Sequence, residues 1–483
     1  MLLTAVALVP LAATAAKKKA PAPKKASSAE TPALEIPFEK YTLPNGLEVI
    51  LHEDHRLPLV AVSVWYHVGA FHEPPGRSGF AHLFEHMMFQ GSEHVGPDQH
   101  FKILEEIGGT GMNGTTNFNR TNYFETVPSN QLETALWLES DRMGFLLEAM
   151  TPEMLENQRE VVKNERRQRT ETAPYGLADE AAWKALFPKP HPYHGMVIGS
   201  MKDLDAATLK DVREFFKKWY APSNATLVVA GDFDPAQAKK LIDKYFGTLP
   251  KRPKPTPPNV KKAKLDKEVV IHFDEPVAPL PKVEILWHSP AAFEEGDAAA
   301  DVLASILAGG KSSRLERRLV HELEIAQSVS ALQYSMGLQS AFIIEAVARP
   351  GVSTDRLLEE IDKVLNEIRE KGVTEEEVRR AVNKYETQFV SGLQQLGGFG
   401  GRAEQLQRYN HFLGDPGYLA QDIARYHAVT PKDVQDFVRE WLTDKRVVLH
   451  AIPKTQATPK DAQASAQVGT ASAPSEAAKK EAK

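Results

Sequence analysis

Cysteine is absent from this 483-residue chain. Disulfide frameworks and thiolate metal sites are therefore excluded, and a transition metal could be held only by histidine and carboxylate. No apolar run approaches the ~20 residues that a membrane-spanning helix needs. An excess of positive charge is missing too: 58 basic residues stand against 64 acidic ones, a net charge of −6, and no long basic stripe interrupts the mixture. That balance gives nucleic acid no electrostatic footprint. What remains is ordinary globular composition, 42% apolar and 25% charged, in a chain too long for one hydrophobic core. Two or more domains are expected.

The one notable apolar run, residues 2–16, ends in Ala13-Thr14-Ala15 and is followed by Lys17, Lys18 and Lys19. It reads as a signal peptide over 1–16, although the basic residues usual before such a run are missing, and it predicts a periplasmic or secreted destination. Residues 17–34 are rich in Lys, Ala, Pro and Ser and read as a flexible linker. Residues 455–483 have almost no large apolar side chains, so a disordered tail is expected there. Between them, the proline-dense stretch 250–258 forbids regular helix or central strand. It marks an interdomain linker at 250–267, dividing an N-terminal half, 35–249, from a C-terminal half, 268–454.

The halves read as copies. Thr208, Lys210, Asp211, Val212, Phe215 and Trp219 recur at one offset as Thr430, Lys432, Asp433, Val434, Phe437 and Trp441. Each segment places threonine where a helix N-cap is wanted, keeps helical spacing of apolar residues, and is followed by a short apolar strand. At the start of the first half, residues 41–51 read as strand, Asn45-Gly46 turn, strand, and residues 59–65 form a β-branched third strand. Helical patterns then dominate to about residue 220. Strands grouped ahead of helices predict an α+β class: two duplicated halves, each an antiparallel-rich sheet packed with helices.

Residues 78–91 carry the chemistry. They read as one helix, with Ser78 as N-cap and Gly91 as its terminator. His82 and His86 then lie on one face a turn apart, able to reach one metal ion, while Glu85 is offset enough to serve a metal-bound water instead of the metal. A histidine pair at this spacing is often just two ordinary side chains, and spacing alone leaves both readings open. The flanking residues Phe80, Leu83, Phe84, Met87, Met88 and Phe89 are apolar, however. Burying two histidines and a glutamate among them without a partner would be costly. A second helix begins at Thr151-Pro152 and runs to Glu165. Its wheel puts Met154, Leu155, Val161 and Val162 on one face, with Gln158 and Glu165 inside it and Glu160 opposite. Glu165 is the acid expected to turn inward toward a charge.

His82-Leu83-Phe84-Glu85-His86 is an inverted zincin motif, and its surroundings resemble the pitrilysin/insulinase metallopeptidases, which include mitochondrial processing peptidase. Residues 79–91 fit that family's extended signature. Gly108, Gly109, Asn113, Thr116, Thr121 and Tyr123 fit its next segment, and Tyr193, His194, Gly199, Asp203, Leu204 and residues 220–232 fit the end of its first half. The likeness covers roughly residues 35–455. It implies a clamshell of two halves, a Zn²⁺ held by His82, His86 and Glu165, and Glu85 as general base of a zinc endopeptidase. It also implies that a peptide substrate adds to a sheet edge, with Asn113, Thr116 and Phe84 as substrate-binding residues.

Two departures stand out. Where the family often has a second acid seven residues before the zinc glutamate, this chain has Gln158. Where self-sufficient members carry an arginine and a tyrosine seven residues apart, it has Val320 and Gln327. Paired members of the family divide this labour between chains, which implies a sequence-related, zinc-free subunit that supplies the Arg and Tyr. Two rivals share the fold: a non-catalytic, core-like structural subunit, and a peptide-binding module that keeps zinc for stability alone. Four convergent polar residues, His82, Glu85, His86 and Glu165, argue against a bare scaffold.

Overall fold

The computed structural model describes residues 34–454. The expected signal peptide at 1–16, nearly all of the linker expected at 17–34 and the tail expected at 455–483 lie outside the described residues. Strands β1 (Glu39–Thr42) and β2 (Glu48–Glu53) form the predicted hairpin. Gly46, at φ +97°, supplies the left-handed turn position between them. They join β3 (Leu59–Tyr66), β4 (Thr110–Thr116), β5 (Thr121–Pro128) and β6 (Ala225–Gly231) in a six-stranded sheet of order β1-β2-β6-β3-β5-β4. In the second half, β7 (Val269–Glu275), β8 (Lys282–Ser289), β9 (Ala326–Tyr334), β10 (Ser340–Ala348) and β11 (Val447–Pro453) form a five-stranded sheet of order β7-β11-β8-β10-β9. No helix or strand falls between 250 and 268.

Set β1 aside and the two orders match strand for strand. β2 and β6 are parallel, as are β7 and β11, and every other pairing in both sheets is antiparallel. The repeated helices behave as copies too. Thr208 caps the helix Leu209–Trp219 in a capping box with Asp211, and Thr430 caps Pro431–Glu440 in one with Asp433. The duplication read from six aligned residues is thus a duplication of topology, and the α+β class holds.

Each sheet alternates between two sets of neighbours. In β6, Leu227 and Val229 face helices of their own half, whereas Val228 and Ala230 face the helix Arg402–Leu413 sent across from the second half. The exchange is reciprocal. In β11, Val448 faces its own helices, and Val447, Leu449 and Ala451 pack with Ala178, Ala182, Trp183 and Leu186 from the first-half helix Gly176–Leu186. Burying an aliphatic side chain of this kind is worth about 1.5–3 kcal/mol. Polar contacts fix the register of the crossing helices. Gln407 is fully buried and donates from Nε2 to the carbonyls of Ser63 and Thr226, both at 2.9 Å.

Three expectations need correction. The region between β3 and residue 220 is not continuously helical, because the β4/β5 hairpin interrupts it. β4 contains Gly111, Gly114 and three threonines with no apolar alternation, so it is a strand only by pairing with β5. Ser78 is not the N-cap of the histidine helix. That helix is Phe80–Met87 with Gly79 as cap, and it ends before Gly91. Val161 is 40% exposed, at the margin of its helix's buried face, whereas Leu155, Gln158 and Val162 are buried.

Candidate metal centre

Two helices meet at the site. Phe80–Met87 lies against Pro152–Arg166 on one side and against β4 and β5 on the other. Its N-terminus is unusual. Gly79 sits at φ +87° and has no side chain to cap the first turn. Glu73 does the work from six residues upstream, its Oε2 accepting from Gly79 N at 3.1 Å and its Oε1 from Ala81 N at 2.8 Å. Burial pushes the Glu73 carboxyl up to about 8, against the pull of these backbone N–H groups. Ser78, displaced from capping, donates from its hydroxyl to Asp203 at 2.5 Å and accepts from Ser200 N at 3.1 Å. A Cβ on Gly79 would lie 2.7 Å from the Cα of Gly199, so this close approach requires glycine. Arg166 donates to Gly199 O at 2.7 Å, tying the second helix to the same loop.

His82 Nε2 and His86 Nε2 lie 3.3 Å apart. Glu165 Oε2 is 3.6 Å from the first and 3.3 Å from the second. Ligand atoms of a tetrahedral zinc site, at bond lengths of about 2.0–2.1 Å, stand roughly 3.3–3.4 Å apart. Two edges of the triangle match those of such a tetrahedron and the third, at 3.6 Å, is slightly longer, and two imidazoles with one carboxylate are a donor set that zinc accepts. Protonation agrees. Burial, helped by neighbouring His86, pushes the His82 imidazole down to about 4, and His86 and His82 hold the Glu165 carboxyl below its usual range. Neutral imidazole beside ionised carboxylate is the state that coordinates a cation. His82 Nδ1 is buried without a hydrogen-bond partner among the described residues.

Glu85 stands beside this triangle and not in it. It is 9% exposed, and Thr116 Oγ1 donates to its Oε2 at 2.7 Å. Burial pushes its carboxyl up, against that hydrogen bond. All four side chains open onto a cavity of about 790 Å³ lined from both halves: Asn113 and Thr116 on β4, Phe118 and Trp183 beyond, and Leu286, Leu332 and Tyr334 opposite. Asn113 is exposed on β4, the free edge of its sheet. Phe84 corrects the expectation made for it. It is 1% exposed, with Phe216 and Tyr220 at ring-centroid distances of 5.7 and 4.4 Å, because two residues of helix turn it about 200° away from His82. It is a core residue. Val320, in the turn Glu316–Glu322, and Gln327, exposed on β9, do not line the cavity.

A second acidic cluster is formed by Asp179, Glu284 and Glu345, of which Asp179 and Glu284 line the cavity. Lys282, 3% exposed, already fills its centre: it donates to Asp179, with Nζ 3.8 Å from Glu284 and 4.0 Å from Glu345. Sequence reasoning also missed Arg169. Its Nη1 is 2.6 Å from Glu165 Oε1, an i,i+4 pairing that the spacing alone could have suggested.

The matching helix of the second half does not repeat the histidines or Glu85. The helix Asp297–Ala308 follows β8 as Phe80–Met87 follows β3, and Gly296, at φ +91°, caps it in the left-handed conformation of Gly79. Counting from these caps, His82, Glu85 and His86 fall opposite Ala299, Val302 and Leu303.

This arrangement places the chain in a known class: it belongs to the insulinase family, peptidase family M16. Residues 48–186 match that family's profile and residues 206–385 match that of the peptidase M16 inactive domain. The zinc protease PqqE of Helicobacter pylori is 32% identical over 391 residues, which cover 79% of this chain and 86% of the relative. A solved protease from Helicobacter pylori superposes with a TM-score of 0.80 at 27% identity, covering 87% of this chain and all (100%) of the other. The first half of the periplasmic protease PqqL from Escherichia coli shares the fold at a TM-score of 0.69 and 17% identity, covering 91% of this chain and 98% of the other.

Glu73→Ala leaves at least two buried N–H groups of the histidine helix without an acceptor, each costing about 1–3 kcal/mol. Thermal unfolding should show a clear fall in Tm, with a smaller fall for Glu73→Gln, which retains one acceptor oxygen. Equal Tm values for Glu73→Ala and the parent would show that the helix needs no cap.

Proposed function

We propose that this chain is a zinc endopeptidase acting on peptides or unfolded polypeptides, with His82, His86 and Glu165 holding the ion. The observation that carries the reading is the triangle of three donor atoms with a fourth polar side chain, Glu85, beside it and outside it. Zinc bound there supplies a Lewis acid and acidifies a water. Glu85 is the general base: Thr116 holds its Oε2, and its Oε1 takes a proton and later returns it to the leaving amine. Asn113, on the exposed edge of β4, offers hydrogen-bonding groups to the backbone of an extended substrate laid along that edge. Phe118, Trp183, Leu286 and Tyr334 give the cavity an apolar wall that holds side chains and excludes water.

The alternative is a non-catalytic, core-like or peptide-binding subunit of the same fold. The matching helix of the second half speaks for the enzyme. On it the positions of His82, Glu85 and His86 hold Ala299, Val302 and Leu303, so the fold itself does not require the polar residues that the first half carries. A periplasmic or secreted location is supported by the apolar run at 2–16 and by the periplasmic relative. Among the described residues, no helix is long and apolar enough to cross a membrane.

Glu85→Gln should keep full zinc content while peptide turnover falls by about 10²- to 10⁴-fold, the usual contribution of a general base. Loss of zinc on the scale of a His82→Ala variant would make Glu85 a ligand. Glu165→Ala should lower zinc occupancy, measured by metal analysis of folded protein. Glu160→Ala should not, since the Glu160 side chain is 46% exposed and paired with Lys163.

The chain also works with a partner. Val320 and Gln327 occupy the sequence positions at which self-sufficient members of the family that the chain resembles carry an arginine and a tyrosine, and one transition-state donor of that kind is worth about 2.7–4 kcal/mol. A homodimer cannot restore groups that neither copy has, so the partner is a sequence-related, zinc-free subunit supplying Arg and Tyr. Turnover by the zinc-loaded chain alone should be low and should rise on co-expression with that subunit. Full activity from the isolated chain, unchanged by a partner, sinks the idea.

A further inference from the structure

Glu165 has two carboxylate oxygens, and they point at different partners. Oε2 faces the two imidazoles at 3.3 and 3.6 Å, and Oε1 is 2.6 Å from Arg169 Nη1. Arg169 lies in the π-helical turn Arg167–Glu171 that continues the helix Pro152–Arg166. The neighbouring cations are engaged elsewhere. Arg166 bonds Gly199 O and Glu180, Arg167 bonds Asn164, and Lys163 bonds Glu160 and Asp205. Among the described residues, Arg169 is the only lysine or arginine paired with Glu165.

This division matters for coordination. A glutamate can bind a metal through one oxygen or both, and the second oxygen would take the position that a hydrolytic site must keep open for water. A guanidinium ion-paired with Oε1 at 2.6 Å competes electrostatically for that oxygen. We propose that Arg169 is a positioning residue that holds Glu165 as a one-oxygen ligand and so keeps the fourth coordination position free. The role rests on the zinc reading above and is distinct from that of the ligands. The Arg169 side chain is 76% exposed, so solvent screens the pair and its effect lies more in geometry than in net stability.

The test uses the full-length chain with Arg169→Ala, Arg169→Gln and Arg169→Lys, each checked by thermal unfolding without metal. Zinc affinity is measured by competition with a chromophoric chelator, and coordination by the visible absorption of the Co²⁺-substituted protein, which is intense for four ligands and weak for five. Arg169→Ala and Arg169→Gln should weaken zinc binding by roughly 10-fold, the lower end of what loss of a ligand's outer-shell partner costs. They should also weaken the cobalt absorption, with KM for a peptide unchanged. Arg169→Lys, which keeps a cation in reach of Oε1, should recover part of both, and it serves as the test if the other variants do not fold. Parental zinc affinity and cobalt absorption in the variants overturn the proposal, as does a change confined to KM, which would make Arg169 a substrate contact. A parent chain that binds no zinc fails the zinc reading instead, so the two failures are distinguishable.

Discussion

A twisted sheet has two faces, and neither half of this chain covers both of its own. Each half packs its helices on one side only, leaving apolar residues such as Val228 and Ala230, or Val447, Leu449 and Ala451, to be covered from elsewhere. The helices Arg402–Leu413 and Gly176–Leu186 meet that need by crossing to the opposite half. Everything else about the site depends on this exchange. It sets the second sheet's inner face, with Leu286 and Tyr334, across the cavity from the two helices that carry His82, His86 and Glu165.

The site itself is held from its periphery inward. A histidine helix with a glycine cap would be poorly anchored at its start, and Glu73, Ser78, Asp203 and Gly199 supply the missing anchorage from two separate segments. That end of the helix can then approach the loop closely enough for Arg166 to bind the same loop from the other ligand-bearing helix. The result is a half-buried polar triangle carried on two helices that are each anchored to the same loop.

What could be seen in advance follows from where the information lies. His82, Glu85 and His86 are close in sequence, so helical periodicity placed them correctly. The turn of Glu165 toward the core was visible from Leu155 and Val162 on the same wheel. The topological repeat was visible from Thr208 and Thr430 because capping is local chemistry. The β4/β5 hairpin was not legible, since Thr110–Thr116 has no apolar alternation and becomes a strand only through its partner. Phe84 was misplaced because a motif names neighbours in sequence, whereas a helix sends residues two apart to opposite sides. The cavity's far wall, from Leu286 to Tyr334, depends on the crossing of helices between halves, for which one sequence holds no signal.

The exchanged helices also decide what joins the two halves. Because each half's surface is closed by a piece of the other, the covalent segment between 250 and 267 is not the principal tie. A chain cleaved there would leave two fragments interlocked like clasped hands, each lacking part of its own interior until the other returned it. A wide swing about the proline-rich connection would strip two buried interfaces at once.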